Sequence, residues 1–286
     1  NAKTKAELLV IASLLSELNI VAKYSSDIST LGIKRNACDP MKLLHLEDNP
    51  KSHFKRAINF YKENYKQVPK QINYLQKEKI HVGYFSGDFN SHPVMHLISR
   101  MIELHDDSKF KIFLYSFGLK DDKYTELIKQ EVSCFRDIKN LSDIKATEIA
   151  RNDNLDIAID LMGHTKNNRM GIFSSRVAPI QINFLGFPST SGADQIDYLI
   201  GDKVIIPDEN KKYFTEKILY MPNFYHPFNN QKELSLRSFK RLDFDLPEEA
   251  IVLAVFHNNK KITIREIESW SRILHELPNS ILWISE

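Results

Sequence analysis

From Lys79 onward, short apolar runs rich in β-branched and aromatic residues alternate with helical patterns, and this alternation constrains the fold more than any other feature. Strands are predicted at His81–Phe85, Lys111–Phe117, Leu155–Leu161, Gln181–Leu185 and Tyr198–Gly201, with a shorter one at Lys217–Met221. Helical patterns fall between them at 94–105, 122–132 and 144–153. Strands joined through helices build a parallel sheet covered on both faces. A polar break at 229–242 closes this block. A second block opens with a strand at Ile251–Phe256, then a helix at 264–276 and a strand at Ile281–Ile284. One strand–helix–strand unit cannot bury a sheet on both faces, so most of a second α/β domain is expected to lie beyond residue 286.

The stretch before the first strand reads as helical. Residues 4–19 carry apolar side chains at helical spacing, with Thr4 and Glu7 placed as a capping box. A polar, irregular stretch runs to about Asp39, and Pro40 starts a short helix. Residues 51–66 form an amphipathic pattern with Phe54, Ile58, Tyr61 and Tyr65 on one face, which leaves Lys55, Arg56 and Lys62 as its solvated side. Val68–Lys79 is a polar linker. The expected division is a helical segment at 1–79, a first α/β half at 80–228, a linker at 229–250 and the start of a second half at 251–286.

Charge and cysteine content exclude several function classes. With 39 Lys+Arg against 37 Asp+Glu the net charge is +2, which offers no global attraction for nucleic acid. No apolar run approaches the ~20 residues that span a bilayer, and the first residues lack a secretory pattern. The two cysteines, Cys38 and Cys134, form neither a disulfide framework nor a zinc spacing. A cytoplasmic protein with no membrane or nucleic-acid partner is expected.

In open parallel sheets, ligands bind beyond the carboxyl ends of the strands. The first strand runs into Asp88, His92 and His96, within GYFSGDFNSHPVMHL. An Asp beside His at a strand end offers a general base with its orienting partner. The other reading of the same residues is helix capping, with Pro93 at the first helical position. A metal site is the weaker reading, because the His92–His96 spacing has no Glu of the HExxH kind and no third ligand. The third strand ends in Gly163, His164, Thr165, Lys166 and Arg169, and the fourth in LGFPSTSG, Leu185–Gly192. Small residues there either let backbone N–H groups approach a ligand or form an ordinary loop. In the second block, Lys261 near a helix start either meets a diphosphate or faces solvent.

The order GYFSGDFNSHPVMHL, DIAIDLMGHT and RVAPIQINFLGFPSTSGADQIDYLIGD, followed by EKILYMPNFYHP and the stretch from Leu246 to Trp283, resembles the catalytic region of the O-GlcNAc transferase and SPINDLY family. The resemblance covers about residues 80–284. It implies a GT-B-type α/β fold: one Rossmann-like parallel-sheet domain and the start of a second, preceded by a short helical segment. It also implies inverting, metal-independent transfer of a sugar to Ser or Thr of a protein acceptor, most simply GlcNAc from UDP-GlcNAc. The nucleotide-sugar is then a substrate, and no cofactor is required. SPINDLY-like fucosyl transfer from a GDP-sugar, or a truncated scaffold without activity, are the alternatives. By position the resemblance puts Asp88 and His92 at proton handling. It puts Gly186, Pro188 and Thr190 on the loop near the donor sugar, Asn258 on the nucleotide side and Lys261 on the diphosphate. His257, Lys260 and Ile264 depart from the family's usual residues. The chain alone is expected to be inactive, since most donor contacts would lie past its end.

Overall fold

The computed structural model describes residues 2–15, 17–34, 36–66, 72, 75–231 and 236–285. The chain opens with α1 (Ala2–Leu14), α2 (Leu18–Lys23) and α3 (Ser25–Ile28), then a 3-10 turn at Pro40–Leu43 and α4 (Pro50–Asn64). The α/β block follows as β1 (Ile80–Ser86), α5 (Pro93–Glu103), β2 (Phe110–Ser116), α6 (Lys123–Glu131) and β3 (Cys134–Asp137). It continues as α7 (Asp143–Asn152), β4 (Ile157–Asp160), α8 (Met170–Ser174), β5 (Ile180–Asn183), β6 (Tyr198–Gly201) and β7 (Lys217–Tyr220). The chain ends in β8 (Ile251–Val255), α9 (Ile264–Glu276) and β9 (Ser280–Ile284).

The first seven strands form one sheet in the order β3-β2-β1-β4-β5-β6-β7. Every neighbouring pair is parallel. This is the α/β architecture that the strand–helix alternation predicts. Alternate residues of β1 feed the two faces. Val82 and Tyr84 join a cluster with Ile98, Leu114, Ile159 and Ile182, while Phe85 joins Tyr115, Ala158, Met162 and Phe173 on the other. The rings of Phe85 and Tyr115 stack at 4.2 Å. Full burial of a side chain like Phe85 contributes about 2–3 kcal/mol. The edge strand β3 has no counterpart in the sequence reading. Its four residues, CFRD, carry little apolar signal, and its pairing to β2 alone defines it.

The chain divides into two compact units. One holds Gly32–Met41 and Asn49–Gln231, and so contains α4 and the large sheet. The other holds Asn1–Leu31, Lys42–Asp48 and Lys232–Glu286. The stretch expected as one helical segment at 1–79 is therefore shared between both. In the second unit, β8 and β9 pair in parallel, and α1 packs against the 3-10 turn at Asn259–Lys261.

Three local expectations change. α1 begins at Ala2, so Thr4 lies inside the helix rather than capping it, and Glu7 pairs with Lys42. α2 and α3 occupy much of the stretch expected to be irregular. The face of α4 is rotated: Ser52, His53, Arg56, Ala57 and Tyr61 are buried, and Phe54 and Ile58 are half-buried. Arg56 is fully buried rather than solvated, and its guanidinium meets His53 Nδ1 at 3.0 Å. The cause is close approach of backbone: a Cβ on Gly192 would lie 2.4 Å from the carbonyl carbon of Ala57. Half of the polar linker expected at 68–79 lies outside the described residues. No helix among the described residues is long and apolar enough to cross a membrane.

Candidate functional site

In a doubly wound sheet, the crevice opens where strand order reverses. Here that point lies between β1 and β4, which are adjacent in the sheet but are separated in sequence by β2 and β3. The loop after β1 carries Asp88 and His92. The loop after β4 carries Gly163, His164 and Lys166, and the loop after β5 carries Gly186 to Gly192. All three leave carboxyl ends of neighbouring parallel strands, so they converge on one edge of the sheet. An open cleft of about 370 Å³ lies between the loops after β1, β2 and β4, lined by Asp88, Asn90, Lys120, Met162, Lys166 and Asn167 among others, and the β5 loop does not line it.

His92 is the N-cap of α5, and Pro93 occupies the first turn. Its Nδ1 lies 3.3 Å from the Val94 amide, which donates to it, and 3.5 Å from Asp88 Oδ2. The capping reading of His92 is met, and Asp88 lies close enough to orient the ring. One nitrogen cannot accept from Val94 and donate to Asp88 in the same tautomer. The ring thus has two arrangements: Nε2–H with Nδ1 capping the helix, or Nδ1–H toward Asp88 with the Nε2 lone pair free. Burial raises the Asp88 pKa, and the opposing influence of His92 lowers it. The Asp88 amide donates to Ser86 Oγ at 2.9 Å, which fixes the turn. His96 packs edge to face on Tyr124 at 4.9 Å instead of joining Asp88. Among the described residues no three His, Cys, Asp or Glu side chains are grouped as metal ligands.

At the end of β4, the Asp160 carboxylate accepts from the amides of Met162 and Gly163 at 2.9 and 3.0 Å. Burial pushes its pKa up to about 6 despite those bonds. His164 is buried between Phe60 and Phe187, both edge to face at 5.2 Å. Its Nε2 meets the Ser191 carbonyl at 2.6 Å, and burial pulls its pKa down to about 4.

Glycines on the loops after β4 and β5 serve chain-to-chain approach. A Cβ on Gly186 would lie 1.9 Å from the Leu161 carbonyl oxygen, and one on Gly163 would meet Phe187 at 2.4 Å. Thr190 is fully buried, and its hydroxyl donates to Glu216 at 2.6 Å. Pro188 is exposed. Phe187, Pro188 and Ser189 wall a cavity of about 110 Å³ with Phe214 and Tyr225. Asn183 also lines it, and its amide is buried without a hydrogen-bond partner among the described residues.

Asn258 and Lys261 belong to the other unit, at the turn between β8 and α9. The Lys261 amide donates to the Asn258 carbonyl at 3.0 Å, and its side chain is exposed. Thr263 and Glu266 cap α9 reciprocally just beyond. Sequence reading missed Glu216, Asn183 and the role of Lys120. Glu216 meets Thr190 from 26 positions along the chain, and Asn183 and Lys120 line their cavities by where their strands end, so no local pattern marks them.

Comparison with known proteins follows the same lines. The chain matches glycosyl transferase family 41 over residues 53–237 and 229–286. It is 33% identical over 213 residues to the probable UDP-N-acetylglucosamine–peptide N-acetylglucosaminyltransferase SEC of Arabidopsis thaliana, covering 72% of this chain and 22% of that one. The Caenorhabditis elegans UDP-N-acetylglucosamine–peptide N-acetylglucosaminyltransferase is 37% identical over 150 residues, 52% of this chain and 13% of the relative. A probable transferase of the same kind, SPINDLY of Petunia hybrida, is 31% identical over 205 residues, 70% of this chain and 22% of the relative. A solved O-GlcNAc transferase variant from Thermobaculum terrenum superposes with a TM-score of 0.78 at 24% identity, covering 99% of this chain and 52% of that one. That likeness identifies the GT-B-type fold. The chain spans about a fifth of the length of the curated relatives SEC and SPINDLY.

Proposed function

Because the chain belongs to glycosyl transferase family 41, we propose that the full protein transfers a sugar from a nucleotide donor to a protein acceptor. The observation that carries this reading is the Asp88–His92 pair at the rim of the cleft between β1 and β4. The sugar is GlcNAc from a UDP donor, as the names of the relatives suggest, and it goes to Ser or Thr with inversion and without a metal. The acceptors are cytoplasmic proteins, in keeping with two cysteines that offer neither a disulfide framework nor a zinc spacing.

An acceptor hydroxyl must lose its proton as it attacks the anomeric carbon. Asp88 favours the tautomer with Nδ1–H directed at its carboxylate, and this leaves His92 Nε2 as the atom that takes the proton. The departing diphosphate needs positive charge. Lys261 supplies it at a helix start, with Asn258 on the nucleotide side and Gly186, Pro188 and Thr190 on the loop beside the sugar. Lys120 and Lys166 add positive potential around the cleft, and neither is ion-paired among the described residues.

The test is labelled-sugar transfer by the full-length protein, offered UDP-GlcNAc and GDP-fucose separately. GlcNAc transfer is expected. His92→Ala should lower it about 100-fold, and Lys261→Ala should do the same while also weakening nucleoside-diphosphate binding by calorimetry. Fucosyl transfer alone would replace the donor assignment, and no transfer from either donor would overturn the reading.

A further inference from the structure

Glu216 stands immediately before β7 and is only 4% exposed. It has no ion pair among the described residues. Its charge is met by neutral donors, nearly all of them on the loop after β5. Oε1 accepts the Ser191 amide at 2.7 Å and the Ser191 hydroxyl. Oε2 accepts the Thr190 hydroxyl at 2.6 Å and the Thr215 hydroxyl at 3.1 Å. Thr190 Oγ1 in turn accepts the amides of Gly192 at 3.2 Å and Thr215 at 3.1 Å. With those two acceptor positions filled, its hydrogen is left to donate, and the shorter of its two contacts is Glu216 Oε2 at 2.6 Å, against 3.1 Å to Thr215 Oγ1.

This makes the loop and the carboxylate interdependent. Moving Thr190 or Ser191 strands a buried charge, which is among the costlier local defects in a protein. The same loop is held elsewhere by backbone contact of Gly186 with Leu161, by Gly192 against Ala57, and by the Ser191 carbonyl on His164. Pro188 is the exposed residue of this loop, and with Phe187 and Ser189 it walls the 110 Å³ cavity.

We propose that Glu216 is a positioning residue: it fixes the Gly186–Gly192 loop in its ligand-ready shape before the donor arrives. The inference rests on the function proposed above. A loop ordered in advance adds no ordering cost on binding, so its effect appears in donor affinity more than in the chemical step. Glu216→Gln keeps volume and one accepting oxygen, but presents an NH₂ group to the Thr190 and Thr215 hydroxyls. Glu216→Ala removes all acceptors.

The experiment is steady-state sugar transfer by the full-length protein, together with hydrogen exchange of the Ser191 and Gly192 amides. Glu216→Gln should raise the donor KM about tenfold, the scale of one charge-assisted hydrogen bond, with kcat within about twofold. Glu216→Ala should raise KM further, and exchange at both amides should speed up in the same order. A fall in kcat at unchanged KM would mean that Glu216 only keeps protein folded, and would overturn the proposal. If the unaltered protein transfers no sugar, the functional reading fails by itself. Exchange then decides the anchoring, and unchanged exchange in Glu216→Gln overturns it.

Discussion

Asp160 and His164 end and follow the same strand, and burial acts on them in opposite directions. Asp160 is raised from 3.8 to about 6, and His164 is lowered from 6.5 to about 4. The sign follows from which form the fold prefers. For His164 the folded state prefers the neutral ring, so its contribution is complete above pH 6.5 and is lost as pH falls through 4. That contribution is about 3 kcal/mol at about 1.4 kcal/mol per pH unit. For Asp160 the folded state prefers the protonated acid. Its contribution is complete below pH 3.8 and is lost as pH rises through 6. Between pH 4 and 6 the two slopes oppose each other. His164→Phe suits the aromatic surroundings and should unmask the Asp160 slope, so that stability relative to the unaltered protein falls as pH rises. Asp160→Asn should do the reverse. Urea denaturation across this range checks both, and parallel curves for all three proteins would contradict the assignment.

The strongest signature segments turn out to hold elements together as much as they shape a site. In RVAPIQ, Arg176 grips the Asp197 carboxylate with both oxygens at 2.8 Å. The Gln181 side chain bridges Val177, Phe173 and Gln195 from within the core. These contacts tie β5 to the approach of β6 at the amino end of the sheet, opposite the cleft. At the carboxyl end, Gly186 lets the β5 loop touch the β4 loop backbone to backbone. Gly186→Ala puts a methyl group 1.9 Å from the Leu161 oxygen, and neither main chain can yield easily. A loss of about 2–3 kcal/mol is expected, at the upper end of overpacking costs. It should come with a shift of the Pro188 loop. Thermal unfolding with donor titration measures both, and a wild-type Tm in this variant would show that the contact is not as close as described.

Across the molecule, burial is uneven. The central strands β1 and β2 each end in five consecutive buried residues, whereas α9 has none and β8 and β9 are at most half-buried. Protection against exchange follows buried contacts and shielded hydrogen bonds. Amides of Val82–Ser86 and Ile112–Ser116 should therefore exchange at least about tenfold more slowly than those of Ile251–Val255 and Ser280–Ile284. Native-state hydrogen exchange resolves the two sets. Equal protection would contradict this ordering of the two units.

The sequence by itself determined the element types and the parallel α/β class, because strand and helix periods are local properties of side-chain order. It also placed Asp88, His92 and the glycine-bearing loops at strand ends, since loop position follows directly from element order. Tertiary structure decided everything that depends on contacts between distant residues. It turned the buried face of α4 toward Gly192, put Arg56 inside, and formed β3 from four weakly patterned residues by pairing them to β2. It also closed Thr190 onto Glu216 across 26 positions of chain. Such contacts follow from where whole elements come to rest, and the energies that select them are summed over many partners, so no short stretch of sequence carries them.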